Sequence, residues 1–503
     1  RAATVYPART AFVDEPNQPA PSWGTVTVAE MAARAKAQAV ALDRLGVGPG
    51  ERVAVISHNS GRLVTSFFGV SGWGRVLVPI NFRLAAAEVR YIVEHSGASV
   101  LLMDPELEDA LAGVEAKHRF VIGTESDNVL FGLDGALADV EPQSWAADEN
   151  AIAAINYTSG TTARPKGVEQ THRSLWLNAT TFGWHAGVND RDVFLHTLPM
   201  FHCNGWGMPY ATTGMGVEQI VLRQVDGAEI LRRVDAHGVT LLCGAPAVVN
   251  MVLDAAAAWD GPIPGAGRTR MVVAGAPPPT RTIERVETEL GWEFIQIYGL
   301  TETAPLLTMN RSRAEWDHLS AADRAQKLGR AGAPTVGIRL AVDQHGEILA
   351  RGNHVLNGYW SQPDDTADAI VDGWFRTGDG GTIDEGYLTI SDRKKDVIIS
   401  GGENVSSIET EDALFSHPAV AEVAVIGVPD ERWGELILAL VVLAPGASAT
   451  EQELRDHCRT KLAGYKVPKR IEFRDELART ATGKLQKFKL RSPYWEGHER
   501  QIN

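Results

Sequence analysis

The sequence predicts an α/β protein in which a large N-terminal domain of helix-flanked mixed sheets carries a β-rich subdomain and is followed by a small α+β C-terminal domain. Three observations predict this. The chain has 503 residues, more than one hydrophobic core usually serves. Short β-rich runs alternate with helix-compatible stretches over the first two thirds of the chain, and after about residue 335 they become shorter and are separated by turns.

The N-terminal part begins with a helix followed by a strand. From Val28 to Leu45 apolar residues recur at helical spacing behind a capping pair, Thr27 and Glu30. The next segment, GVGPGERVAVIS, is typical of a turn leading into a buried strand. Its alternate glycines precede the strand, so they do not form a dinucleotide-binding fingerprint.

The same alternation continues towards the middle of the chain. It recurs in ASVLLMD, RFVIGT, VTLLCGAP, TRMVVAGAP and FIQIYGLTE, which favours parallel strands flanked by helices. GIRLAVDQHGEILARG and GYLTISDRKKDVIISGG then indicate the smaller β-rich unit. IETEDALFSHPAV, EVAVIGVPD and LILALVVLAPG return to helix and strand with enough apolar residues for a separate core.

Composition excludes several classes of protein. The chain is 44% hydrophobic and 22% charged, as expected for packed globular domains. Its 48 basic and 63 acidic residues give a net charge of −15, which opposes binding to nucleic acid or anionic lipid. We find no apolar run long enough to span a bilayer and no signal-peptide pattern. The cytoplasm is therefore the expected compartment, although a targeting segment ahead of Arg1 stays open.

The three cysteines are predicted to be reduced structural thiols. Cys203, Cys243 and Cys458 lie far apart in the sequence and lack the paired spacing of a disulfide framework or a zinc site. A nucleophilic role for Cys203 is the alternative. Its neighbours Phe201, His202 and Trp206 indicate the wall of a pocket instead.

The segment Tyr157–Val168, YTSGTTARPKGV, has the composition of a polyphosphate-binding loop. Its glycine lets the backbone approach an anion, its hydroxyls donate hydrogen bonds, and Lys166 supplies a positive charge. The Walker spacing is absent, because Lys166 is followed rather than preceded by glycine. A solvent-exposed Ser/Thr-rich loop is the alternative interpretation.

This segment resembles the phosphate loop of the adenylate-forming family, which includes acyl-CoA synthetases, luciferases and peptide-synthetase adenylation domains. Four further motifs follow in the family's order: YGLTET (298–303), GWFRTGD (373–379), DRKKDVIISGGENV (392–405) and TATGKLQK (480–487). The resemblance is greatest to fatty-acyl or medium-chain acyl-CoA synthetases. It implies an adenylating domain over residues 1–392 and a mobile lid domain over residues 393–503, with a hinge near Lys395.

The resemblance also implies roles in adenylation. Thr158 and Glu302 would hold magnesium, and Thr301 would contact the α-phosphate. Lys484 would reach into the site and stabilise developing negative charge, so catalysis is assigned to Lys484, Glu302 and Thr301. The other implied nucleotide-binding residues are Ser159, Gly160, Thr161, Thr162 and Lys166 in the loop, Gly275, Ala276, Pro277 and Tyr298 around adenine, Asp379 at the ribose hydroxyls, and Arg393 at ribose or phosphate. A plain strand-to-turn segment at VVAGAPPP and a charged interdomain loop around Arg393 are the alternatives.

Two further segments are assigned to coenzyme A and to the acid by the same resemblance. Gly401 and Gly402 would let the pantetheine arm pass close to the backbone. The aromatic segment LPMFHCNGWGMPY resembles the acid-binding segment, so His202, Cys203 and Trp206 are expected to line the acyl pocket. A packed structural histidine and a core tryptophan stay open as alternatives.

Two positions depart from the family pattern. Ala163 stands where glycine is usual in the phosphate loop, and Ala478 stands where proline commonly precedes RTATGK. Because alanine disfavours positive φ, we expect the first departure to reduce loop mobility without abolishing activity.

Together these features predict an ATP- and magnesium-dependent acyl-CoA synthetase. It would form an acyl-adenylate and then a coenzyme A thioester, from a medium-chain, branched or small aromatic carboxylic acid. Loading of the acyl group onto a carrier protein is the alternative. Luciferase-like oxygenation and nucleotide binding without turnover are disfavoured. The expected partner is a small-molecule acid, with no nucleic acid and no integral membrane segment, and a homodimer is left open.

Overall fold

The computed structural model describes residues 1–158, 165–393, 396–400, 403–430, 432–479 and 485–496. It confirms the predicted fold class of helix-flanked mixed sheets, a β-rich subdomain and a small C-terminal domain. The first predicted helix spans Val28–Arg44, and Thr27 and Glu30 form the reciprocal capping box expected from the sequence.

The N-terminal sheet comes from the first third of the chain. Its described strands, in spatial order, are His118–Val121, Ala98–Met103, Arg52–Ile56, Val76–Ile80, Ile152–Thr158 and Lys166–Thr171. The pairs are parallel except for the last, where Ile152–Thr158 and Lys166–Thr171 run antiparallel on either side of the phosphate loop. The α-helices in this part of the chain are Ala2–Val5, Val28–Arg44, Gly61–Gly69, Ala86–Ser96 and Thr124–Phe131.

The central sheet is larger. Its described strands, in spatial order, are Ala333–Pro334, Leu306–Arg311, Glu293–Gly299, Arg270–Val273, Leu241–Gly244, Val193–His196, Glu218–Val221, Thr10–Val13 and Thr25–Thr27. The interior pairs are parallel, whereas the pairs at both edges are antiparallel. The strands predicted as parallel pair in parallel in the interior, and the antiparallel edge pairs make the sheet mixed, as the predicted fold class states. The α-helices here are His172–Ala186, Met208–Met215, Gly227–His237, Pro246–Ala257, Thr280–Arg285 and Ala321–Leu328. The helical turn Val286–Leu290 extends Thr280–Arg285.

The β-rich subdomain predicted after residue 335 is an antiparallel sheet. Its described strands are Ile338–Val342, Glu347–Gly352, Ile370–Val371, Trp374–Asp384 and Tyr387–Arg393, and the helix Pro363–Ala369 precedes the third. The longest strand contains Asp379, directly opposite Arg393 on its neighbour. Two predicted ribose-binding positions are thus paired on the backbone.

The C-terminal region forms a sheet with its own apolar core. Its described strands are Ile398–Ser400, Glu403–Val405, Val420–Asp430, Gly434–Leu443 and Arg470–Phe473, and its helices are Ser407–Phe415, Glu451–Arg459 and Lys487–Trp495. Leu414, Val425, Ile437 and Leu454 are fully buried in this core. The division at residues 392 and 393 falls at the end of the strand Tyr387–Arg393, and it stays a prediction.

A bilayer span would need a long apolar helix, and the helices in the described ranges include none that is long and apolar enough. The cytoplasmic location and the oligomeric state stay predictions.

Strand order places the predicted nucleotide-binding residues at strand ends. Thr158 is the last residue of its strand, Gly275 follows Arg270–Val273, and Tyr298 lies at the end of Glu293–Gly299. Val273 pairs with Gln296 in parallel register, so Gly275 and Tyr298 are each two residues beyond a paired position. Carboxyl ends of parallel strands are where α/β proteins usually bind ligands.

Candidate active site

Tyr298 and Asp379 join two motifs that are far apart in the sequence. The Tyr298 hydroxyl donates a hydrogen bond of 2.8 Å to Asp379 Oδ2, and the two residues are 8% and 7% exposed. The Asp379 amide donates to the Thr377 hydroxyl, which in turn donates to the Ile348 carbonyl, and this holds the strand locally. A carboxylate accepts several hydrogen bonds through its two oxygens, which is the property that a ligand of a vicinal diol such as ribose needs.

Thr301 and Glu302 lie in a short helical turn that directly follows the strand of Tyr298. The Thr303 hydroxyl accepts a hydrogen bond from the Leu300 amide and donates to the Pro305 carbonyl, which closes the turn. The backbone amide of Leu356 donates to the Glu302 carbonyl at 2.6 Å. The turn is thereby fixed on both sides.

Tyr359 orients the Glu302 carboxylate, and the sequence analysis missed it. Its hydroxyl donates to Glu302 Oε1 at 3.0 Å. Burial, together with the charge of Glu302, raises the pKa of the Tyr359 phenol, so the group stays a donor. The residue lies in NGYW, a segment that pairs with the strand after the phosphate loop through Trp360 and Gly167 and through Gly358 and Glu169. A tyrosine in a turn-like run gave no local signal of this role.

Thr158 and Lys166 lie opposite each other where the phosphate loop leaves and rejoins the sheet. Lys166 forms an ion pair with Asp365, and its Nζ lies 5.0 Å from the centre of the Tyr359 ring. The lysine therefore lies beside the Tyr359–Glu302 pair, and its role in phosphate binding stays a prediction.

Thr158 and Glu302 each carry side-chain oxygens, the kind of ligand that magnesium takes together with water and phosphate oxygens. The described ranges contain no group of three or more His, Cys, Asp or Glu side chains suited to a metal, and the magnesium assignment stays a prediction.

The predicted adenine segment begins at Gly275. Its φ is +95°, and an added Cβ would meet no atom within 4 Å, so glycine is favoured by backbone conformation rather than by crowding. Ala276 and Pro277 are half-buried.

The predicted acyl segment contains an unusual backbone. Cys203, Asn204, Gly205, Trp206 and Gly207 all have left-handed φ values, from 46° to 79°. For Cys203 and Trp206 this conformation costs about 1–2 kcal/mol per residue, so other contacts must hold it. We call residues 202–207 the left-handed turn.

The left-handed turn is held by a hydrogen bond from one asparagine and by packing in an apolar cluster. Asn178 Nδ2 donates to the Trp206 carbonyl at 3.1 Å, and Asn178 Oδ1 accepts from the Leu306 amide at 3.1 Å. Cys203 and Trp206 are 3% and 4% exposed. They belong to a buried apolar cluster that also includes Phe182, Phe194, Leu198, Met208, Ile297 and Leu306. His202 is half-buried at the start of the turn.

Cys203 is not suited to be a nucleophile. Burial raises the pKa of its thiol to about 12, so the thiol is protonated at neutral pH, and the thiolate is the reactive form. The role of Cys203 in the wall of an acyl pocket stays a prediction.

Three buried carboxamides, from Asn156, Gln170 and Asn204, form a second feature that the sequence analysis missed. Gln170 Nε2 donates to the Thr301 carbonyl at 2.9 Å, and Asn204 Nδ2 donates to Gln170 Oε1 at 2.8 Å. Asn156 and Asn204 exchange hydrogen bonds of 3.0 and 3.3 Å. The local signal was a polar Asn156 within the largely apolar strand Ile152–Thr158. Gln170 lies in the polar strand Lys166–Thr171 and gave no such signal.

Several predicted site residues lie outside the described part of the chain. These are Ser159, Gly160, Thr161 and Thr162 of the phosphate loop, Lys395, Gly401, Gly402 and Lys484, together with the variant position Ala163. For Arg393 the backbone alone is described. Their roles stay predictions.

Comparison with known proteins gives a consistent result. Residues 1–360 match the family model described as AMP-binding enzyme, and residues 409–484 match the model described as AMP-binding enzyme C-terminal domain. The 2-methylpropanoate–CoA ligase CCL4 of Humulus lupulus is 36% identical over 531 residues, which cover 98% of this chain and 93% of that protein. The 4-hydroxybutyrate–CoA ligase 2 of Metallosphaera sedula is 36% identical over 484 residues, which cover 90% of this chain and 87% of that protein.

A solved structure extends the similarity to the fold. The o-succinylbenzoate CoA synthetase MenE from Bacillus subtilis, in complex with its acyl-adenylate intermediate, superposes with a TM-score of 0.82 and 28% identity, over 97% of this chain and 96% of that chain. The same enzyme has been solved with ATP and magnesium, with a TM-score of 0.80 and 27% identity over 97% of this chain and 98% of that one.

Proposed function

The chain belongs to the AMP-binding enzyme family and is an AMP-forming acid–CoA ligase, and we propose that it activates a medium-chain, branched or small aromatic carboxylic acid. Magnesium-bound ATP and coenzyme A would be its co-substrates. The observation that carries the residue assignments is the hydrogen bond between Tyr298 and Asp379, which joins two motifs, the first of which also supplies Thr301 and Glu302.

In the proposed first step the substrate carboxylate attacks the α-phosphorus of ATP. The new bond joins a carboxylate oxygen to that phosphorus, and pyrophosphate leaves with the electrons of the broken bond. Asp379 would accept hydrogen bonds from the ribose, and Thr301 would donate to an α-phosphate oxygen. Lys166 and Lys484 would place positive charge where negative charge develops.

Thr158 and Glu302 would hold magnesium beside the phosphates. When bound, the ion would neutralise charge on phosphate oxygens and so favour attack on the phosphorus. Tyr359 would keep the Glu302 carboxylate in the orientation that this ligation requires.

In the proposed second step the thiol of coenzyme A attacks the acyl carbon of the mixed anhydride. A carbon–sulfur bond forms, the bond between the acyl carbon and the phosphate oxygen breaks, AMP leaves with its electrons, and the thiol proton passes to solvent. Gly401 and Gly402 would give the pantetheine arm room near the backbone. We further propose that residues 393–503 rotate about Lys395 between the two steps.

The class of acid is supported by the environment of the left-handed turn. Cys203 and Trp206 belong to an apolar cluster, which favours an acid with an uncharged tail, and the bulk of a buried tryptophan favours a short or compact one. The two relatives are ligases of 2-methylpropanoate and 4-hydroxybutyrate, and the solved enzyme is a synthetase for o-succinylbenzoate.

A pyrophosphate-release screen over acids of graded length, branching and aromaticity, with and without coenzyme A, tests the proposal. We expect acid-dependent release and a coenzyme A thioester as product. Nucleotide binding without release for any acid would overturn the proposal. If the acyl group is transferred to a phosphopantetheinyl carrier protein but not to coenzyme A, the carrier protein is the final acceptor.

A further inference from the structure

Gln170 connects the left-handed turn to Thr301, in the short helical turn after the strand Glu293–Gly299. It lies on the strand Lys166–Thr171, immediately after the phosphate loop, and is 1% exposed. Its amide donates to the Thr301 carbonyl at 2.9 Å and lies 3.6 Å from Cys203 Sγ, and its carbonyl accepts from Asn204 at 2.8 Å. One side chain therefore contacts both predicted substrate-binding segments.

The contacts of Gln170 continue through the two asparagines. Asn204 is 0% exposed and lies within the left-handed turn, and Asn156 is 2% exposed on the strand that enters the phosphate loop. Besides pairing with Asn204, Asn156 Nδ2 lies 3.4 Å from the Phe201 carbonyl. The strands on both sides of the phosphate loop thus contact the left-handed turn through neutral amides.

Neutral amides suit a fixed connection between two binding segments. They carry no net charge that would attract or repel ATP, and their donors and acceptors are directional. Left-handed φ at Cys203 and Trp206 is unfavourable without support from the surroundings. Strained backbone that the surrounding structure holds in place is typical of functional sites.

We propose that Gln170 is a positioning residue for adenylation, which fixes the left-handed turn relative to Thr301 so that the bound acid meets the α-phosphorus at a reactive distance and angle. The inference rests on the proposed function, because it assumes that the turn binds the acid and that Thr301 contacts the α-phosphate. A displacement of about 1 Å between reacting groups can lower a rate by about a hundredfold. The residue itself need not contact either substrate.

Gln170→Met is the first test, because it keeps the length of the side chain and removes both hydrogen bonds. We expect kcat/KM for the acid in acid-dependent ATP–pyrophosphate exchange to fall by about 10–100-fold. Binding of ATP measured without acid should change by no more than about threefold, because the ribose and polyphosphate contacts remain.

Gln219→Met is the matched control. Gln219 is 0% exposed, and its amide group hydrogen bonds to His196, Ala11 and Thr213, none of them a predicted site residue. Both variants remove a buried carboxamide from a strand and should lower Tm. Only Gln170→Met should lower kcat/KM for the acid.

Gln170→Glu adds a pH-dependent readout and serves if the methionine variant does not fold. A carboxyl group here faces the Thr301 carbonyl, which repels the ionised form and accepts a hydrogen bond from the protonated form. Burial favours the protonated form. The ratio of variant to wild-type kcat/KM for the acid should therefore rise as pH is lowered, and the corresponding ratio for Gln219→Glu should not.

The outcomes separate the two hypotheses. If the wild-type protein supports no exchange with any acid, the proposed function fails. If the wild type is active but Gln170→Met or Gln170→Glu behaves like its Gln219 counterpart, or loses ATP binding as strongly as acid turnover, the positioning role is wrong. A selective loss with the acid, together with recovery of Gln170→Glu at low pH, supports it.

Discussion

Removal of the Tyr359 hydroxyl should weaken the response of the enzyme to magnesium. Tyr359→Phe eliminates the 3.0 Å hydrogen bond to Glu302 Oε1 and keeps the ring beside Lys166. A hydrogen bond to a charged group contributes about 1.5–3 kcal/mol. Glu302 is only half-buried, so we take the lower end of that range, and about 1.4 kcal/mol corresponds to about tenfold in a binding constant.

The prediction is a rise of about tenfold in the magnesium concentration that gives half-maximal adenylation, within the range seen when partners of metal ligands are removed. The assay is acid-dependent pyrophosphate release at saturating ATP and acid, with free magnesium varied. Binding of Mn²⁺ to the ATP complex, followed by electron paramagnetic resonance, gives a measure that does not depend on turnover.

Tyr387→Phe is the control for loss of a tyrosine hydroxyl, because Tyr387 accepts a hydrogen bond from Arg313, outside the predicted site. If Tyr359→Phe leaves the magnesium response unchanged and lowers only Tm, then the Tyr359–Glu302 contact stabilises the fold without positioning a metal ligand, and the reasoning is refuted.

Three further predictions follow from other residues. Cys203→Ser should keep kcat within about fivefold with an unchanged pH profile, because the raised thiol pKa of about 12 excludes a thiolate nucleophile; loss of more than about a hundredfold with retained ATP binding would contradict this. Burial lowers the pKa of His196 from 6.5 to about 4, so the unfolded state binds more protons between these values, and stability should fall by up to ~3 kcal/mol as pH drops through them. Thermal melts of wild type and His196→Gln over that pH range check this. If Tm depends on pH equally in both proteins, His196 is not the cause of the loss of stability. Ala163→Gly should change the KM for ATP by restoring loop mobility, and an unchanged KM would count against the predicted effect of this departure.

Much of the fold could be predicted because local patterns agree with tertiary structure. The cap formed by Thr27 and Glu30 starts the helix where expected, and the strands after residue 335 form the antiparallel subdomain. Strand direction at the sheet edges was not predictable from local pattern, because Leu306–Arg311 and Lys166–Thr171 carry no local mark of direction and run antiparallel to their neighbours.

The candidate site was predictable where it consists of motifs. The sequence analysis placed Tyr298 and Asp379 in one nucleotide site, and the structure brings them into hydrogen-bond contact. Glu302 was also assigned from its motif, whereas its partner Tyr359 was missed, because a single tyrosine in a loop carries no periodicity. Contacts between distant segments are not encoded in local pattern.

The left-handed turn was beyond sequence-based prediction for a physical reason. Cysteine and tryptophan disfavour positive φ, so local preference argues against the observed backbone at residues 203 and 206. Tertiary contacts, including the Asn178 hydrogen bond to the Trp206 carbonyl, override that preference. The buried position of Gln170 was also not predictable, because a glutamine in a strand is usually exposed. Its burial depends on a hydrogen bond from Asn204, which is distant in the sequence.

The most direct test of the proposed mechanism is thioester synthesis by Lys484→Ala, with ATP binding measured in parallel. The account predicts that synthesis falls by at least about a hundredfold, because a positive charge at the reacting phosphate is lost, while ATP binding is largely retained. Full-speed thioester synthesis by this variant would contradict it.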